Sequence, residues 1–237
     1  MKMTTFLKAT LAAGILATGS YAGGLLPTTA HAEVQKGETA KELIDYYSKP
    51  YFEYKNLTGY YENGRLDLPI PNASALSVKL VGKDLEKYNA QTKTYDGLDV
   101  FVVPEGTGKQ ATTNSIGGVT KKNKQQYFDV VSSPEILIYK KAGFASEAIT
   151  LRGFDLYKEE MTLKELDFRL RQMLIKDYGL YKYGSTEGEI IIFTDYNEKD
   201  RYTFELHKKL QEHRMSDVID TRKIKEISIG FRVRNKN

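Results

Sequence analysis

Residues 162–181, TLKELDFRLRQMLIKDYGLY, read as one amphipathic helix of about four turns. Leu163, Leu166, Leu170, Met173 and Leu174 recur at helical spacing and make a single apolar stripe. Thr162 and Glu165 have the spacing of a capping box, and Gly179 can take the left-handed conformation that ends a helix. Lys164, Glu165, Arg169, Arg171 and Lys176 lie largely off the stripe and are expected to face water. Around the helix lie β-like segments at Ile149–Tyr157, Glu189–Thr194, Arg201–Leu206 and Ile224–Val233. One helix laid across one face of a mixed sheet buries both apolar surfaces, which makes the helix structural.

The first 32 residues read as a secretory signal. Lys2 and Lys8 give a positive start, Ala9 to Ala17 is mostly small and apolar, and Ala30-His31-Ala32 fits the small-x-small cleavage rule. The apolar run is too short and too interrupted to span a membrane, which takes about 20 apolar residues. The expectation is a secreted, extracellular protein without membrane insertion. Its chain has no cysteine, so its stability must come from its cores, which suits a bacterial exoprotein. Removing Lys2 and Lys8 from the 35 basic residues leaves 33 against 31 acidic ones, too balanced for the concentrated basic face that nucleic acid demands. Seventeen tyrosines against no tryptophan suit strands and partly wet binding surfaces.

Thr39 and Glu42 make a second capping box, ahead of a short helix ended by Pro50. Short strand-like runs follow at Tyr51–Tyr60, Leu76–Val81, Leu98–Val103 and Ser115–Thr120, with Asn63-Gly64 as the strongest hairpin turn. They suggest a small closed barrel over residues 36–125. Gly117-Gly118 marks a close backbone approach. It is not a phosphate loop, because SIGGVTKKN lacks GxxxxGK spacing and no βαβ unit surrounds it. Lys121, Lys122 and Lys124 form a basic turn, expected to be a solvated loop. Polar residues between Asn123 and Pro134 read as a linker. Strands, the central helix and further strands then match a β-grasp domain over residues 133–233. The fold class is α+β, predominantly β.

Catalytic machinery is missing from the pattern. There is no cysteine nucleophile and no GxSxG, and the two histidines beyond the signal, His207 and His213, lack HExxH spacing. The expectation is a non-enzymatic protein with no catalytic residues, no cofactor and no metal. The informative segment is RYTFELHKKLQEHRM. Alternation puts Tyr202, Phe204 and Leu206 on the helix-facing side and Arg201, Thr203 and Glu205 on the other. Lys208, Lys209, His213 and Arg214 follow. A hydroxyl, a carboxylate and several cations in one region can bind a polyhydroxylated ligand that bears a carboxylate. An ordinary charged sheet edge has the same composition.

Three long segments carry a family resemblance: SIGGVTKKN, LKELDFRLRQMLIKDYGLY and YTFELHKKLQEHRMSDVID, supported by YYSKPYFEYKNLTGY near the start. The chain resembles the staphylococcal superantigen-like exotoxins, relatives of the pyrogenic superantigens. The resemblance implies an N-terminal OB-fold barrel, a C-terminal β-grasp domain and a non-enzymatic role in blocking innate immunity. One branch binds sialylated glycans through a strand threonine, a glutamate two residues on, a lysine and an arginine in the next turn. Here those places are held by Thr203, Glu205, Lys208 and Arg214. The implied partners are host sialylated glycoproteins on myeloid cells or in serum. Other branches block immunoglobulin, complement, a Toll-like receptor, or coagulation and matrix proteins, so a protein-specific target stays open, as does a weak homodimer. T-cell superantigen activity is the least expected, since Ile116 stands before the glycine pair where pyrogenic members commonly have Tyr. An OB barrel can bind nucleic acid through stacking aromatics, but export, near-neutral charge and the resemblance all argue against it.

Overall fold

The computed structural model describes residues 38–70, 75–106, 112–142, 145–184, 187–194 and 201–233. The signal expected over residues 1–32 and the polar tail from Arg234 lie outside them. The first half runs α1 (Ala40–Tyr47), β1 (Phe52–Glu62), β2 (Arg65–Leu68), β3 (Leu76–Lys79), a short α2 (Asp84–Lys87), β4 (Thr94–Val102), β5 (Thr113–Ile116) and β6 (Val119–Lys121). β1 and β2 form a hairpin whose two turn residues, Asn63 and Gly64, have φ of 46° and 77°. A two-residue turn with positive φ at both positions matches the twist of the strands it joins.

The strands form one sheet in the order β5-β3-β2-β1-β4-β6. Its two edge strands are consecutive in the chain and joined only by Gly117 and Gly118. Two residues cannot span a flat six-stranded sheet, so the sheet curls into a barrel. At Gly118, with φ of 83°, a Cβ would stand 2.4 Å from the Phe101 carbonyl oxygen, the close approach that the glycine pair signalled. Leu66, Leu68, Val78, Leu98, Val100 and Val119 fill the interior.

After residues without helix or strand, the second half runs β7 (Glu135–Ala142), β8 (Ala145–Leu151), β9 (Glu160–Thr162), α3 (Leu163–Tyr178), β10 (Gly188–Phe193), β11 (Arg201–Glu205), β12 (Val218–Asp220) and β13 (Glu226–Val233). Two 3₁₀ turns, Glu212–Arg214 and Thr221–Lys223, flank β12. The five-stranded sheet has the order β11-β10-β13-β7-β8 and is mixed, because β13 pairs with β7 in parallel. The strand expected at Ile149–Tyr157 sits earlier, at Ala145–Leu151, and Leu156 makes only an isolated bridge to Ser132. β7 went unread, and it occupies an inner position of the sheet.

α3 lies across this sheet as expected. Leu163, Leu166, Leu170 and Leu174 share one core with Ile138, Ile190, Phe204, Leu206, Ile227 and Ile229. Its cap is half of the expected box. Thr162 Oγ1 accepts from the Glu165 amide at 3.2 Å, but the Glu165 carboxylate turns instead to Lys158 (2.8 Å) and Arg169 (3.0 Å). Gly179 ends the helix at φ 69°.

The expectation that the polar residues of α3 face water is wrong for most of them. Lys164, Glu165 and Arg171 are all buried, Arg169 is half-buried, and only Lys176 is exposed. The reason is α3's second covering. α1 packs on it, with the Tyr46 and Tyr47 rings 5.8 and 5.5 Å from the Phe168 ring, and Tyr51 and Phe101 from the barrel complete an aromatic cluster. A helix covered on nearly every side can keep its charges only by pairing them inside.

Candidate ligand-binding surface at the end of β11

β11 pairs with β10 from Arg201↔Phe193 to Glu205↔Glu189 and, among the described residues, has no partner on its other edge. Period-2 alternation buries Phe204 and Leu206 beneath α3, as the sequence indicated, and turns Thr203 and Glu205 the other way. The chain then turns through Leu206–Lys208 and re-enters the fold at Leu210, before the 3₁₀ turn brings Arg214 back beside the strand.

The four residues singled out from the sequence meet here. Arg214 donates from Nη2 to the Thr203 carbonyl oxygen at 3.0 Å and from Nη1 to Gln211 Oε1 at 3.2 Å. Its guanidinium lies 5.8 Å from the centre of the Phe204 ring. Its remaining N–H groups make no hydrogen bond among the described residues. Lys208 Nζ pairs with the Glu205 carboxylate. Thr203, Lys208 and Arg214 are half-buried and Glu205 is exposed. The result is a surface carrying a hydroxyl, a carboxylate and two cations, with a planar guanidinium already oriented by two bonds. Lys209 belongs elsewhere: its ammonium and its amide both engage the Glu38 carboxylate, ahead of α1.

Beneath this surface lies a polar network that the sequence reading missed. Arg171, buried on α3, donates to the Glu205 carbonyl oxygen at 3.1 Å and the Leu206 carbonyl oxygen at 3.2 Å. Its Nε pairs with Asp167 at 2.7 Å, and Nη1 reaches the Tyr181 hydroxyl at 2.7 Å. Tyr181 in turn donates to the Leu206 carbonyl oxygen, and Tyr47 of α1 donates to Asp167 at 2.5 Å while accepting from the Leu210 amide. Burial works against the Arg171 charge, but Asp167, Tyr47 and Tyr181 hold its pKa above the ordinary arginine value. Burial, and the neighbouring Asp167 carboxylate, push the Tyr47 hydroxyl well above the usual range, so it stays a protonated donor. The backbone that presents Glu205 and Lys208 is thus anchored from below by a fixed charge. Asp167 and Arg171 stand four apart on the helix, the one sign of this pair available in the sequence.

Among the described residues, no group of three or more His, Cys, Asp or Glu gathers in a way that could hold a metal ion, and no helix is long and apolar enough to cross a membrane.

Residues 41–123 match the family described as staphylococcal superantigen-like OB-fold domain, and residues 134–231 match the staphylococcal/streptococcal toxin beta-grasp domain. This chain belongs to the staphylococcal superantigen-like family. It is 43% identical over 196 residues to superantigen-like protein 11 of Staphylococcus aureus, which covers 83% of this chain and 97% of that one. It is 42% identical over 243 residues to staphylococcal superantigen-like 5 of strain Newman, covering 98% of this chain and all of that one. The crystal structure of superantigen-like protein 5 complexed with sialyl Lewis X at pH 4.6 superposes with a TM-score of 0.74 at 41% identity, over 81% of this chain and 100% of that one. A second complex of that protein with sialyl Lewis X, at pH 7.4, gives 0.71 at 40% identity, over 81% and 97% of the two chains. The OB-fold and β-grasp halves expected from the sequence, with the central helix, are those of the superantigen-like family.

Proposed function

We propose that this protein is a secreted, non-enzymatic immune-evasion factor that binds sialylated glycans on host leukocyte or serum glycoproteins. The site is the end of β11. Arg214 receives the sialic acid carboxylate, Lys208 adds charge, the Thr203 hydroxyl and the Glu205 carboxylate engage sugar hydroxyls. The observation that carries this reading is the meeting of these four side chains on one surface, with the Arg214 guanidinium held by Thr203 and Gln211. The sialyl Lewis X complexes of a relative of 41% identity support it. In this reading, residues 36–125 and 133–233 are the two domains, and the glycan site belongs to the second.

The test is calorimetry with sialyllactosamine on wild type, Thr203→Val and Arg214→Ala, after matched thermal unfolding. A hydrogen bond to a charged group is worth roughly 1.5–3 kcal/mol, so Arg214→Ala weakens binding by about one to two powers of ten. Thr203→Val keeps the β-branched shape and removes the hydroxyl. Leukocytes treated with sialidase lose binding. A folded Arg214→Ala protein that binds as tightly as wild type overturns the site, and undiminished binding to treated cells assigns the protein a target recognised without sialic acid.

A further inference from the structure

A groove of about 1040 Å³ opens at the other end of β11 from Glu205, between α2 of the barrel half and the β11, β12 and second 3₁₀-turn segments of the grasp half. It lies outside the β11-end surface. Five cations line it: Lys83 pairs with Asp217 at 3.0 Å, while Lys87, Arg201, Lys223 and Lys225 are exposed and form no ion pair among the described residues. Asp84 and Ser216 also line it, and both are almost wholly buried. Asp84 Oδ2 and Ser216 Oγ have no hydrogen-bond partner among the described residues. Buried polar atoms without partners are rare because leaving them so is costly. Two of them in the wall of one open groove point to something that the groove receives.

The mixture of groups selects the ligand. Uncommitted cations call for anionic groups. Asp84, Glu160 and Asp220, the last already paired with Arg222, stand on the same wall and repel a ligand that offers only negative charge. Hydroxyls interspersed with anions satisfy both. Among the described residues, Tyr202 is the only aromatic side chain lining the groove, so they offer no row of rings on which nucleobases could stack. The volume is at the upper end for small-ligand sites and suits several sugar rings. We propose that this groove is a second binding site, separate from the β11-end surface, for a sulfated oligosaccharide: its sulfates meet Lys87, Arg201, Lys223 and Lys225, and its hydroxyls meet the Asp84 and Ser216 side of the wall.

The probe is a fluorescent heparin-derived hexasaccharide, titrated by anisotropy into the full protein at fixed ionic strength. Three proteins are compared with wild type. The first is Arg201→Ser/Lys223→Ser/Lys225→Ser. The second, Lys140→Ser/Lys141→Ser/Arg232→Ser, removes the same charge from the other end of the parallel β7–β13 pair, where Lys141 stands opposite Arg232. The third is Arg214→Ala. The groove variant binds the hexasaccharide at least about tenfold more weakly than wild type, yet keeps its response to sialyllactosamine. The distal variant and Arg214→Ala keep wild-type affinity for the hexasaccharide. A desulfated hexasaccharide fails to compete. The proposal is overturned if wild type does not bind the probe, if both charge-removing triples weaken binding equally, or if an oligonucleotide of equal charge displaces the probe as well as unlabelled hexasaccharide does. Loss of hexasaccharide binding in Arg214→Ala also overturns it, since the two sites would then be one. Failure of the sialic acid reading shows in the sialyllactosamine titrations alone.

Discussion

Arg171→Met tests whether the buried network beneath the β11 end is a structural anchor. The methionine fills much of the arginine's volume but leaves the Asp167 carboxylate buried with only the Tyr47 hydroxyl for a partner. The Glu205 carbonyl oxygen loses its Arg171 donor, while the Leu206 carbonyl oxygen keeps Tyr181. Breaking a buried ion pair by removing one member costs about 3–5 kcal/mol. At about 2–4 °C per kcal/mol for a protein of this size, the melting temperature falls by roughly 6–20 °C. Urea unfolding followed by tyrosine fluorescence reads the change directly. Adding Asp167→Asn to Arg171→Met removes the stranded charge and keeps an oxygen for Tyr47, so the double variant is more stable than the single one. Sialyllactosamine binding, measured far below the melting temperature, weakens in Arg171→Met because Glu205 and Lys208 lose their fixed backbone. A loss of stability under about 1 kcal/mol, or a double variant that loses the sum of the two single effects, refutes the claim that a desolvated pair anchors this loop.

Lys164 gives a pH-dependent signature. Burial lowers its pKa from 10.5 to about 8, against the opposing pull of Glu105. Between those values the unfolded chain holds a proton that the folded chain does not, so stability rises with pH across that window. Wild type therefore gains stability relative to Lys164→Met between about pH 8 and 10.5, and parallel urea-unfolding profiles for the two would contradict the burial of a charged lysine. Leu170→Ala, in the middle of α3 and fully buried, costs roughly 2–5 kcal/mol; a loss below 1 kcal/mol by the same assay would mean that the helix does not seal the sheet.

The stripe Leu163-Leu166-Leu170-Leu174, the Asn63-Gly64 turn and the Gly117-Gly118 approach were all legible because each rests on local chemistry: periodicity, a turn that demands positive φ, a residue without Cβ. The alternation that buries Phe204 and Leu206 and turns Thr203 and Glu205 outward is of the same kind. β7 was missed because its apolar residues follow directly on the polar linker that ends at Pro134, and its partner β13 is about ninety residues away in the chain. The buried charges of α3 were misread for a related reason. A helix's own pattern shows which face is apolar, but not that a second layer will close over the polar face. Only the partners, Tyr47 for Asp167, Lys158 for Glu165 and Ser115 for Lys164, make burial of those residues affordable.

α1 precedes the barrel in sequence, yet Leu43, Tyr46 and Tyr47 pack into the core of the grasp half, and Tyr47 bonds Asp167 across 120 residues of chain. This long-range contact leads to an expected order of folding. A chain emerging amino-terminus first presents α1 and every barrel strand before the surface that α1 requires has been made. The surface that α1 requires exists only once the grasp half has formed, and closing so long a loop adds an entropic cost, so α1 is expected to dock after the grasp half, as a latch on its core. Until then Tyr46, Tyr47 and the aromatic face of α3 are open to solvent. Protease sites near the amino-terminal helix are therefore cut during refolding and protected once refolding ends, and a fragment ending at the linker lacks the very surface that its first helix was made to fit.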